Sequence, residues 1–221
     1  SEMCIRDRFD PECAVSEWEN YLRTKQSIFV DLFHGQCSST VQCNCCKLMN
    51  TTFDPFSMLA MSIPNSASPS LLDCFESFCH SESGIEWKCR NCFGYTAEIV
   101  ESILEGVDPD ILCNHVQIAK IRDIIVSYSV AVDRNSKTFN ILRLPPILII
   151  NLKRFETDNS AKIATPVIYP VKNLDLTGFV TSIYDESNYV YDLLGVIDHH
   201  GTFVNVGHYT ALISENDKLF R

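Results

Sequence analysis

The 221-residue chain carries a formal net charge of −10, with 46% hydrophobic and 21% charged residues. That balance suits one or two globular domains with a sizeable core and excludes a disordered chain. The acidity argues against nucleic acid as the main partner, because phosphate binding wants a basic surface, and no apolar run reaches the roughly 18 residues of a membrane span.

The first eight residues, 1–8, have neither periodicity nor an apolar core and read as a non-native leader. From Val15 to Lys25 the apolar residues Val15, Trp18, Tyr21 and Leu22 form a helical stripe. Ser27 to Phe33 is rich in β-formers and predicts a strand closed by Gly35. Ser39 to Cys43 predicts a second strand, and Met49 to Phe53 a return strand. Leu59 to Ile63 reads as a further strand, ended by Pro64. Ser70 with Asp73 three positions later predicts a capped helix start, followed by Leu71, Leu72, Phe75, Phe78 and Cys79 on one face.

Residues 97–122 are ambiguous in their first part. Asp108-Pro109 then predicts a helix start, with Ile111, Leu112, His115, Ile118, Ala119 and Arg122 at helical spacing. Ile124 to Val132 reads as a strand, Asp133 to Ser136 as a turn and Phe139 to Leu144 as a returning strand. Ile147 to Leu152 predicts a buried central strand, since a run apolar on both faces needs cover on both sides. Tyr189 to Val196 predicts a strand, Asp198 to Asn205 a loop holding His199, His200 and Gly201, and His208 to Ser214 the last strand. The mixture is β-dominant with a few helices, hence α+β.

Eleven cysteines are present. Cys43 and Cys46 form one C-x-x-C and Cys89 and Cys92 another. Two thiolates three positions apart on a tight turn can reach one cation, and two such turns complete the tetrahedral sulfur shell of a structural zinc site. The pairs are farther apart than the ~15–20 residue spacer of a compact ribbon, so the metal is expected to join the tips of two long excursions. Cys45 is read as a bystander. An odd cysteine count with four thiols at metal spacing points to a reducing compartment rather than a disulfide framework. Oxidised or simply buried thiols are the alternative.

His208 opens the last strand through Gly207. A histidine so placed can face a cleft and serve as general base beside a thiol, although a structural histidine fits the same pattern. Here several words in order resemble the ubiquitin-specific protease family of cysteine isopeptidases. They are Phe33-His34-Gly35-Gln36, Ser39-Thr40-Val41-Gln42-Cys43, Thr52-Phe53-Asp54-Pro55-Phe56, Trp87-Lys88-Cys89-Arg90-Asn91-Cys92, the run from Leu144-Pro145-Pro146 to Lys153-Arg154-Phe155, and Gly207-His208-Tyr209-Thr210-Ala211. Asp198-His199-His200-Gly201 resembles the family's Asn-His-Tyr-Gly loop.

The resemblance implies a papain-like cysteine protease hand. Fingers would span about residues 37–143 with a zinc-binding β-ribbon, and a palm about 144–221. It implies one structural Zn2+ per chain on Cys43, Cys46, Cys89 and Cys92. It makes His208 the base, and has Tyr209 and Phe155 line a channel for the extended tail of ubiquitin, with His199 in a loop over it. Partners would be ubiquitin and ubiquitinated proteins, not nucleic acid or membranes, in the cytoplasm and also compatible with the nucleus.

Two departures qualify this. The family's nucleophile lies in a Gly-Asn-Thr-Cys-type word that this sequence lacks, and neither Cys4, Cys13 nor Cys37 has that context. The family's orienting Asp or Asn follows a word that Lys218-Leu219-Phe220-Arg221 only approaches, so Asp217 is not expected to fill that role. Residues 9–221 are therefore expected to be a partial catalytic domain, inactive alone. Residues 97–136 look like an insertion in or near the fingers. The alternative reading is a non-catalytic ubiquitin-binding or zinc-scaffold module.

Overall fold

The computed structural model describes residues 9–44, 46–85, 87, 89, 135–155, 162–181, 183–184, 188–203, 206–215 and 218–220. The elements expected across 97–134 and the second-pair residue Cys92 lie outside them. The chain divides into two compact units. One comprises Ser1–Val15, Ser38–Phe53 and Ser81–Phe139; the other comprises Ser16–Cys37, Asp54–His80 and Asn140–Arg221.

Helix α1 (Pro11–Lys25) starts earlier than the apolar stripe suggests. Pro11 sits at the first position, where its missing N–H costs nothing. Ala14 and Trp18 are its buried residues. The segment predicted as a strand at Ser27–Phe33 is instead a short helix, α2 (Ile28–Phe33). Ser27 caps it, its hydroxyl accepting from the Val30 N–H at 3.3 Å, and six residues offer too little periodicity to outweigh a good cap. Only Val30 is buried in it.

Four strands then build the first sheet: β1 (Gly35–Gln42), β2 (Met49–Phe56), β4 (Glu82–Ile85) and β5 (Asn135–Arg143), in the order β2-β1-β5-β4. In the first unit Thr40 and Thr51 meet side by side, their hydroxyls 3.0 Å apart and buried, a cross-strand pair of the kind that fixes register. Strand β4 pairs antiparallel with β5, and the register shifts between Ser83 and Ile85. Gly84 lies there with φ +77°, a conformation that an L side chain resists.

The second unit holds the main core. Strand β3 (Leu59–Ser62) runs parallel to β6 (Ile150–Lys153). Helix α3 (Leu71–Cys79) buries Leu71, Cys74 and Phe75, spaced i, i+3 and i+4. These meet Leu59, Met61, Ile141, Leu144, Val167, Leu176 and Tyr189. Fully burying an apolar side chain of this size contributes about 1.5–3 kcal/mol. Phe75 also packs on Phe179, ring centroids 5.4 Å apart. That phenylalanine ends a 3-10 turn (Thr177–Phe179) between β7 (Leu174–Asp175) and β8 (Val190–Tyr191), which pair with each other.

The apolar run 147–152 is not a strand buried on both faces: β6 begins only at Ile150, its positions alternate between half-buried and exposed, and Ile149 is 43% exposed. The preceding residues are held by other bonds, with the Ile147 N–H donating to Leu32 O at 2.9 Å. Residues 198–203 are strand, not loop. They belong to β9 (Gly195–Phe203), which forms a hairpin with β10 (Val206–Glu215). Strand β10 is not the last either, for β11 (Lys218–Phe220) pairs with its far end.

Cys13 is disulfide-bonded. Cys37, Cys43, Cys46, Cys74, Cys79 and Cys89 are not disulfide-bonded. Among the described residues, no helix is long and apolar enough to cross a membrane.

Candidate functional site

The first unit brings three of the four expected metal ligands together. Strand β1 delivers Cys43, which is buried, and the chain then folds into a tight knuckle. The Lys47 N–H donates to Cys43 O at 2.8 Å and the Cys43 N–H to Leu48 O at 2.9 Å. Lys47 takes the left-handed conformation, φ 63°, which turns the chain back after Cys46 so that Leu48 O meets the Cys43 N–H. Cys46 is exposed and Cys89 is buried. The sulfur atoms of Cys43, Cys46 and Cys89 all lie within 4.8 Å of one another, and Cys46 Sγ is 3.5 Å from Cys89 Sγ. A tetrahedral zinc with bonds of ~2.3 Å separates its sulfurs by a little under 4 Å, so the donor set and its spacing fit a zinc ion. Cys92 would be the fourth ligand by its spacing and lies outside the described residues.

Sequence reading missed the side chain that places Cys89. Asn135, at the start of β5 and 1% exposed, donates through Nδ2 to Trp87 O at 2.7 Å and Ile85 O at 3.2 Å. These carbonyls lie in the segment that leads from β4 to Cys89. No local pattern marks an asparagine that bonds backbone some fifty positions away, so only the fold reveals it.

In the second unit, Val206 faces Phe203, His208 faces His200 and Tyr209 faces His199, with a register shift between Val206 and His208. The expected base, His208, is exposed on β10. The three residues expected to contact the substrate lie together. The His199 ring sits 4.7 Å from the Tyr209 ring and 6.0 Å from the Phe155 ring, centroid to centroid. His199 reaches this position from strand β9 and not from a loop. Its neighbour His200 shares a 2.9 Å hydrogen bond with the Thr210 hydroxyl and lies 3.8 Å from the Asp198 carboxylate.

Free thiols elsewhere in this unit are poor nucleophiles. Burial pushes Cys37 up to about 11, helped by the nearby Asp54 charge, and its thiol donates to Asp54 O. Burial likewise raises Cys74 and Cys79. A thiol acts as nucleophile only as thiolate, so these three stay protonated at neutral pH.

A family model described as "Ubiquitin carboxyl-terminal hydrolase" matches residues 7–220. Among curated relatives, Ubiquitin carboxyl-terminal hydrolase 4 of Eremothecium gossypii is 31% identical over 220 residues, covering 90% of this chain and 21% of the relative. Ubiquitin carboxyl-terminal hydrolase 2 of Gallus gallus is 31% identical over 206 residues, covering 91% and 47%. The chain thus spans less than half the length of these relatives. Among solved structures, the SAGA Ubp8/Sgf11/Sus1/Sgf73 DUB module bound to ubiquitin aldehyde shares the fold with a TM-score of 0.58 at 22% identity. The match covers 93% of this chain and 39% of that one. The Ubp8-Sgf11-Sgf73-Sus1 SAGA DUB module gives 0.55 at 22%, covering 92% and 38%.

Proposed function

The chain belongs to the ubiquitin carboxyl-terminal hydrolase family, and from that premise we propose that it is the fingers and palm of a ubiquitin-specific cysteine isopeptidase that removes ubiquitin from proteins. The match across residues 7–220 carries this reading. Fingers over about 37–143 would grip ubiquitin, and the palm, about 144–221, would present His208. The atypical stretch at about 97–136 would be an insertion in or near the fingers.

In this scheme the His208 imidazole takes the proton of a cysteine thiol. The resulting thiolate adds to the carbonyl carbon of ubiquitin's terminal glycine. The imidazolium then returns that proton to the departing lysine amine, and water releases ubiquitin from the thioester. Tyr209, Phe155 and His199 would flank the extended tail. Cys43, Cys46, Cys89 and Cys92 would hold one zinc, which supplies a structural cross-link and no chemistry. The nucleophile would come from outside these 221 residues, since the sequence lacks the nucleophile word and Cys37 is held as a protonated thiol.

The test is hydrolysis of a fluorogenic ubiquitin C-terminal substrate. The full-length protein should turn it over, the 221-residue chain alone should not, and His208→Ala in the full-length protein should lower kcat/KM by about 10²–10⁴-fold. Full-length protein that binds ubiquitin without cleaving it would replace the enzyme reading with the scaffold reading. A cytoplasmic and nuclear location belongs to the same proposal, and imaging that finds the protein only in the secretory pathway would overturn it.

A further inference from the structure

His199 is held from a direction that no family word points to. Lys162, half-buried and bridged to Phe155, aims its ammonium at the end of β9. It donates to Gly201 O at 3.0 Å, to the His199 carbonyl, and to His199 Nδ1 at 3.3 Å. An ammonium has three N–H donors and no acceptor, so three acceptors within one short segment use its whole capacity. Nδ1 must therefore accept, which puts the ring proton of the neutral imidazole on Nε2. Nε2 is buried, with no hydrogen-bond partner among the described residues, and it rests against Gly207. A Cβ at Gly207 would collide with it, and one at Gly201 would meet the ring's Cε1 at 3.1 Å. The imidazole thus fills the space that two glycines leave open, closed in by Phe155 and Tyr209.

Gly207 is also where the hairpin ladder is irregular, because the register shifts between Val206 and His208. Ladder bonds alone fix the backbone least at such a point. We propose that Lys162 is a positioning residue for His208: its clamp on His199 and Gly201 seats the His199 ring against Gly207 and so sets the backbone from which His208 projects. The proposal rests on His208 being the base of the isopeptidase.

Two measurements separate the clamp from the activity. In the full chain with isotope-labelled histidines, at a pH above the ordinary imidazole range, the His199 resonances should show Nδ1 as the acceptor nitrogen and Nε2 protonated. Lys162→Met, which keeps most of the apolar stem, should abolish that preference. Unchanged His199 resonances in Lys162→Met overturn the clamp whether or not the protein is an enzyme. In the full-length protein, Lys162→Met should lower kcat about 10–100-fold, a larger change than any rise in KM from the loosened His199, and Lys162→Arg should restore most of it. A Lys162→Met kcat within about twofold of wild type, or a loss seen only in KM, overturns the positioning role. A wild-type protein without turnover refutes the isopeptidase reading and leaves the resonance test to decide the clamp.

Discussion

Ser70 and Asp73 satisfy each other's backbone across the first turn of α3. The Asp73 N–H donates to Ser70 Oγ at 3.1 Å and the Ser70 N–H to Asp73 Oδ2 at 2.7 Å. That backbone bond, with the Ser70 side chain, holds the Asp73 carboxyl below its usual range. A carboxyl whose folded-state pKa is depressed stabilises the fold above its unfolded value of ~3.9, and that contribution is lost as pH falls through the lower folded value. Asp73→Asn, which can still accept at the cap and does not titrate, should flatten the loss of stability over that acid window. Urea midpoints taken down the acid limb check it, and parallel curves for variant and wild type would exclude the effect. This cap was legible in the sequence because both partners are three positions apart. Asn135 and Lys162 were not, since their acceptors are distant in the chain and neither residue type announces a backbone clamp.

At the scale of elements, the candidate zinc site depends on strands that carry each cysteine. Cys43 and Cys46 need only the knuckle, which the C-x-x-C spacing foretells. Cys89 needs β4 to be held in place, and Asn135 does that through Ile85 O and Trp87 O. Asn135→Ala would leave two carbonyls without this donor, at a cost of about 1–3 kcal/mol. It should also speed transfer of zinc to a chromophoric chelator, because one ligand arm loses its anchor. Zinc retained as firmly as in wild type would show that the arm is fixed by other means. Metal analysis of native, reduced protein bears on the premise, and finding no zinc would refute the sulfur shell. The same scale explains the misread elements. Ser27–Phe33 has β-rich composition, but the local serine cap decides for helix α2. Residues 198–203 carry histidines and a glycine that look like a loop, yet pairing with β10 makes them strand. Pairing is a long-range property, and a single strand read alone does not display it.

Across the molecule, the sheet of β9, β10 and β11 turns an apolar face outward. The register puts Ala211 opposite Ile197 and Ile213 opposite both Gly195 and Phe220, and the two-residue side-chain period sets Ile197, Tyr209, Ala211, Ile213 and Phe220 on one side. Ile197 is 78% exposed, Ile213 64%, Tyr209 63% and Phe220 50%. Single exposed apolar residues are ordinary on a protein surface; a contiguous set is a site of association. The chain should therefore bind a hydrophobic dye and self-associate with rising concentration, despite a net charge of −10 that repels its copies. Paired substitution Ile197→Thr and Ile213→Thr keeps β-branching, so strand preference is preserved, and at positions this exposed it should shift stability by no more than about 0.5 kcal/mol. It should cut dye binding and lower the scattering mass toward that of the single chain. Wild-type chain that stays monomeric and dye-silent at high concentration would show that the exposed face is too small or too irregular to act as an adhesive surface.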